Sequence, residues 1–96
     1  MNSWPFDQSA ITSAITTRQV LDRLSDIRVV IHYKGDGSWA FLCGTTEATL
    51  DGKVISMGEA VGLDDSLLEI ADLPRGWRAE RIDRENKWTR TKNEDA

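Results

Sequence analysis

The chain has 96 residues, 40% of them apolar and 29% charged, which fits one folded domain with a modest core and excludes both a deep cleft between two lobes and extensive disorder. A formal charge of −4 and a single cysteine, Cys43, exclude a domain-wide basic surface, an internal disulfide and a multi-cysteine zinc site. A lone thiol fits a reducing compartment. The opening MNSWPFDQSA lacks the basic start and apolar core of a signal peptide, and no run approaches the roughly 20 apolar residues of a membrane span. These features predict a cytoplasmic protein that does not enter a membrane.

The charge is unevenly spread. Residues 1 to 74 carry five basic and eleven acidic side chains, whereas residues 75 to 92 carry seven basic and three acidic. The C-terminal stretch is therefore a positive patch on an acidic body. It suits an acidic-surfaced protein better than nucleic acid, because the body repels polyphosphate over a Debye length of about 10 Å.

Trp4, Pro5 and Phe6 break regular structure yet carry much apolar area, so residues 1 to about 10 read as an extended arm whose aromatics tuck onto the domain. Thr16 and Gln19 have capping-box spacing, and Ile15 and Val20 that of a hydrophobic staple. Together they predict a helix over about Thr17 to Ser25 that buries Val20, Leu21 and Leu24. Residues 10 to 16, rich in Ile and Thr, read equally as a first strand leading into that helix.

IRVVIHYK at 27 to 34 reads as a central strand, with apolar side chains on both faces. GDGS at 35 to 38 is turn chemistry, and WAFLC at 39 to 43 is the returning strand, with Trp39, Phe41 and Cys43 on one face. Residues 44 to 52 suit a surface loop, and KVIS at 53 to 56 a short further strand. Ser56 and Glu59 again have capping-box spacing, and Gly62 is placed to end that helix. Asp64 can cap a second short helix carrying Leu67, Leu68 and Ala71, which Leu73-Pro74 terminates. Residues 77 to 82 and 87 to 91 then pair through DREN, before a frayed tail from about 92 to 96. The order of elements predicts an α+β domain: a small, mainly antiparallel sheet with hairpins at about 27–43 and 77–91, and short helices packed on one side.

His32 and Cys43 form the single imidazole and thiol pair in the chain, and a small thiol-dependent or hydrolytic enzyme would need them face to face across the first hairpin. The acidic residues Asp36, Asp64 and Asp65 lack the spacing of a calcium loop, and GDG lacks the spacing of a phosphate-binding loop. Turn and cap roles account for them, and we expect neither metal nor cofactor. The remaining signal is a set of tryptophans and arginines. Trp39, Phe41 and Trp77 read as structural anchors. Arg75, Arg78, Glu80, Arg81, Arg84 and Trp88 read as contact residues for a protein partner, since Arg and Trp dominate interface hot spots. Arg78 and Glu80 alternate away from Trp77 and are expected to be exposed.

WPF at 4 to 6, ITTRQVLD at 15 to 22, DGSWAFLCG at 36 to 44 and LDDSLLEIADLPRGWRAER at 63 to 81, followed by Trp88, resemble a group of small bacterial proteins of unassigned function. That group is similar to domains classed with the immunity proteins of bacterial polymorphic toxin systems. The resemblance runs from Trp4 to Trp88 and rests on structural motifs that assign no catalytic group. Where the group often has proline after the capping aspartate, this chain has Asp65, which suits a helix N-terminus through the dipole. The resemblance implies an α+β domain that binds a protein.

The leading expectation is thus a non-catalytic, protein-binding domain of immunity type whose partner is a toxin or another acidic-surfaced protein. The alternative is an enzyme using Cys43 and His32. Open strand edges leave homodimerisation undecided.

Overall fold

The computed structural model describes residues 4–44 and 52–92. In chain order its elements are β1 (Ser13–Thr17), α1 (Arg18–Leu21), β2 (Val29–His32), β3 (Trp39–Leu42), β4 (Gly52–Ser56), α2 (Met57–Leu63), a 3-10 helix (Asp65–Ile70), β5 (Trp77–Glu80) and β6 (Thr89–Lys92). The strands form one six-stranded sheet in the order β4-β1-β3-β2-β5-β6. β1 runs parallel to β3, and every other neighbouring pair is antiparallel. The class is α+β with a mostly antiparallel sheet.

The central hairpin follows its turn chemistry. Gly37 takes φ +73°, a conformation that costs glycine nothing, and the Asp36 carboxylate accepts the Ser38 amide at 2.9 Å. β2 and β3 are then registered from His32 opposite Trp39 to Val29 opposite Leu42. Thr16 fastens β1 to this pair by donating its hydroxyl to the Phe41 carbonyl at 2.7 Å in a buried setting.

That bond also explains why the capping box expected at Thr16 does not form. Thr16 lies inside β1 and is fully buried, so the alternative at residues 10 to 16 resolves as a strand over 13–17. The helix after it is one turn of four residues, begun at Thr17 without a side-chain cap. Val20 is buried as expected, but Leu21, the last helical residue, and Leu24, beyond the end of the helix, are exposed.

The second half follows its capping signals closely. Ser56 and Glu59 make the reciprocal capping box at the start of α2. Gly62 does not end α2, which continues through it to Leu63. Asp64 both closes α2 and caps the next helix, accepting the Ser66 amide at 3.0 Å. That helix is of 3-10 type and buries Leu67 and Ile70, with Leu68 and Ala71 half-buried. The C-terminal hairpin is shorter than expected: β5 ends at Glu80 and β6 starts at Thr89, so Arg81 to Trp88 form the connection. The loop expected at 44–52 and the tail from about 92 fall mostly outside the described residues.

Directly opposed residues share a side of a sheet. Ala14, Val30, His32, Trp39, Phe41, Ile55 and Ala79 thus lie on one side, and all are buried. All of these but His32 join Val20, Met57, Ala60, Leu67, Ile70 and Leu73 in a single apolar cluster. Phe6 enters this cluster with its ring edge-on to Trp39 at 5.1 Å. Gln8 ties the same segment down, accepting the Trp39 indole N–H at 2.8 Å and donating to the Gly37 carbonyl at 2.7 Å. The other side of the sheet carries Ile15, Val29, Ile31, Ala40, Leu42, Val54, Arg78 and Glu80. No helix among the described residues is long and apolar enough to cross a membrane.

Candidate functional site

The positive C-terminal stretch is organised by one buried carboxylate. Asp64, at the joint between α2 and the 3-10 helix, accepts the Ser66 hydroxyl at 2.7 Å as well as the Ser66 amide, and pairs with the Arg81 guanidinium. The two side chains are 5% and 2% exposed, so the ion pair is formed away from water. Arg81 is satisfied on every side: Nε donates to the Ile27 carbonyl at 3.0 Å, Nη1 to the Ser66 hydroxyl at 2.9 Å, and its carbon stands 4.1 Å from the Trp88 ring centre. Burial alone would push the Asp64 carboxyl up, but hydrogen bonds from Ser66 and Arg81 outweigh it and hold the group below the ordinary aspartate range.

Of the expected contact residues, Arg81 lies inside the fold and Trp88 partly so. Arg81 is a buried tie between β5, the 3-10 helix and the segment before β2. Trp88 is half-buried against it. The cause is simple alternation: Trp77, Ala79 and Arg81 fall on the same side of an extended chain, and that side faces the core.

The remaining candidates divide between separate surfaces. Arg75 lays its guanidinium against the central turn, so close that a Cβ on Gly37 would meet it at 2.5 Å. Arg78 and Glu80 pair with each other at 3.0 Å on the far side of the sheet, with 33% and 51% of their side chains exposed. Arg84 is half-exposed at the mouth of the Asp64 node, 3.7 Å from that carboxylate. Trp39 and Phe41 are core residues and Trp77 is half-buried beside them.

Three residues outside that set complete the outer surface of the connection. Ile82 is 76% exposed, and Lys87 is exposed on the same groove wall as Ile82, Asn86 and Thr89. Asp83 shapes the loop by accepting the Asn86 side-chain amide at 2.7 Å and the Glu85 backbone amide at 2.8 Å. These two bonds, in that order, hold its carboxyl below the ordinary range. Arg90 on β6 anchors the strand to the 3-10 helix, donating to the Glu69 carbonyl at 2.9 Å and pairing with Asp72 at 2.7 Å. Apart from Arg84, which leans on Asp64, and Arg90, the outward cation of the loop is Lys87.

The thiol and imidazole do not meet. His32 faces Trp39 at the turn end of the hairpin, and Cys43 follows Leu42 at the open end, four residues or about 13 Å along the strand. Cys43 is fully buried. His32 stacks on Trp39 with ring centres 4.0 Å apart and directs Nδ1 to the Leu73 carbonyl at 2.7 Å, which makes Nδ1 the protonated nitrogen. Among the described residues, no group of three or more His, Cys, Asp or Glu side chains is placed to hold a metal ion. No family model, no curated protein and no solved structure matches this chain.

Proposed function

We propose that this chain is a non-catalytic protein-binding domain of immunity type, acting in the cytoplasm, and that it docks an acidic-surfaced protein such as a toxin through the connection between β5 and β6. The short helices cover one side of the sheet in this reading and brace the connection from below. The observation that carries it is Ile82, 76% exposed on a loop shaped by the hydrogen bonds of Asp83, with Lys87 on the same groove wall. An exposed apolar side chain with a cation, Lys87, on the same groove wall matches the anatomy of a hot spot, in which a desolvated centre supplies affinity and rim charges supply orientation and on-rate. The acidic remainder of the chain would repel an acidic partner everywhere else, so charge selects this surface.

The test is capture from host lysate with tagged full-length protein and three variants, Ile82→Asp, Lys87→Glu and Arg78→Glu, each first shown by circular dichroism to fold. A protein retained by the parent and by Arg78→Glu but lost with Ile82→Asp and Lys87→Glu supports docking on the loop. Retention by Ile82→Asp with loss at Arg78→Glu moves the surface to the far side of the sheet. Retention by all three removes both surfaces.

A further inference from the structure

The sheet has two edges, β4 and β6, and they differ in what they offer an incoming strand. On β4 the Met57 amide donates inward to the Thr12 carbonyl at 2.8 Å. Backbone groups of a strand alternate in direction, so Ile55 and Lys53 also bond inward to β1, in register with Ala14 and Thr16. The N–H and C=O groups of Gly52, Val54 and Ser56 then point outward. Ser56 directs its amide to the Glu59 carboxylate at 3.1 Å, which is the capping box, and this fits an outward amide. Among the described residues no further strand pairs with β4 on that side, so Val54 presents its outward amide and carbonyl together with a side chain that is 68% exposed.

We propose that β4 pairs with β4 of a second copy of this chain, antiparallel and centred on Val54. This surface is separate from the loop proposed to bind a partner. A two-fold axis normal to the sheet sets Val54 opposite Val54, Lys53 opposite Ile55 and Gly52 opposite Ser56. Two Val54 amides and two Gly52 amides find carbonyl acceptors across the axis while the Ser56 amide stays in its cap. No like charges face one another, and Val54 extends a row of apolar contacts already formed by Ile15, Ala40 and Ile31 in cross-strand register. Edge β6 cannot do the same. Its sequence is TRTK, and symmetric pairing centred on Arg90 or Thr91 sets Arg90 opposite Arg90 or Lys92, a like-charge contact that destabilises a ladder.

Sedimentation of the full chain up to about 1 mM, the weak end of specific association, is expected to show a species of twice the 10.8 kDa chain mass. Val54→Pro removes an outward amide without touching the β1 ladder, and Val54→Lys keeps the backbone but opposes two ammonium groups. Each is expected to raise the dissociation constant about tenfold or more. Val54→Cys is expected to cross-link readily under diamide, since directly opposed hydrogen-bonded residues and disulfides share a Cα separation of about 5.5 Å. Lys53→Cys, on the other side of the sheet and out of register with itself, should cross-link slowly. A parent that stays monomeric throughout overturns the proposal, including the case in which it captures a strand from another protein instead. An unchanged dimer in Val54→Lys, or equal cross-linking by the two cysteine variants, overturns it as well.

Discussion

Arg81 and Arg84 are three residues apart in the same connection and live in different media. Arg81 has 2% of its side chain exposed and meets Asp64, Ser66, Ile27 and Trp88; Arg84 has 50% exposed and reaches the same carboxylate only at 3.7 Å. The first is part of the fold and the second is part of the surface. Residue type alone does not distinguish an interface arginine from a structural one. Whether the guanidinium's partners come from its own chain does.

The widest separation between the two regions should come from Asp64→Ala. It strands the Arg81 charge in the interior, and we expect a loss of about 3–5 kcal/mol in urea unfolding, with about 1 kcal/mol of it from the lost cap on the 3-10 helix. Combining Asp64→Leu with Arg81→Met removes both charges and should cost less than either single change. If the double variant is the least stable, the pair contributes more than it costs to desolvate.

Acid breaks the same node without mutation. The Asp64 carboxyl is depressed in the fold, so its contribution is present above the unfolded value of about 3.9 and is lost as pH falls through the lower folded value. Asp36, held down by Ser38, Asp72, held down by Arg90, and Asp83 act in the same direction. Unfolding free energy should therefore decline from roughly pH 5 downward, and Asp64→Asn should flatten that decline in a pH series of urea melts.

Smaller effects sharpen the boundary. Trp88→Leu removes the ring beneath Arg81 and is expected to cost about 0.5–2 kcal/mol. Ile82→Asp and Lys87→Glu, one residue to either side of that node, should change thermal stability by no more than about 0.5 kcal/mol. A larger loss at Ile82 would mean that the loop is structural as well.

Much of this was legible in the chain. GDGS and its flanking β-branched and aromatic residues specify the central hairpin, and Ser56 with Glu59 specifies the start of α2, because turns and caps are satisfied by groups only two to four residues away. Counting in twos from Trp77 sets Arg81 on the inner side, a pattern that its reading as a contact residue passed over in favour of its charge. Leu21 and Leu24 were misleading, since a helical stripe is useful only while the helix lasts, and the chain leaves it after one turn.

The sequence by itself determined the α+β class, the GDGS turn and the caps at Ser56 and Asp64, all of which rest on local backbone chemistry. Only the tertiary structure decided that β1 runs parallel to β3 and that Asp64 claims Arg81 from 17 residues away. Each of these depends on strand register and on the desolvation of charge by distant parts of the chain, and no local window contains either.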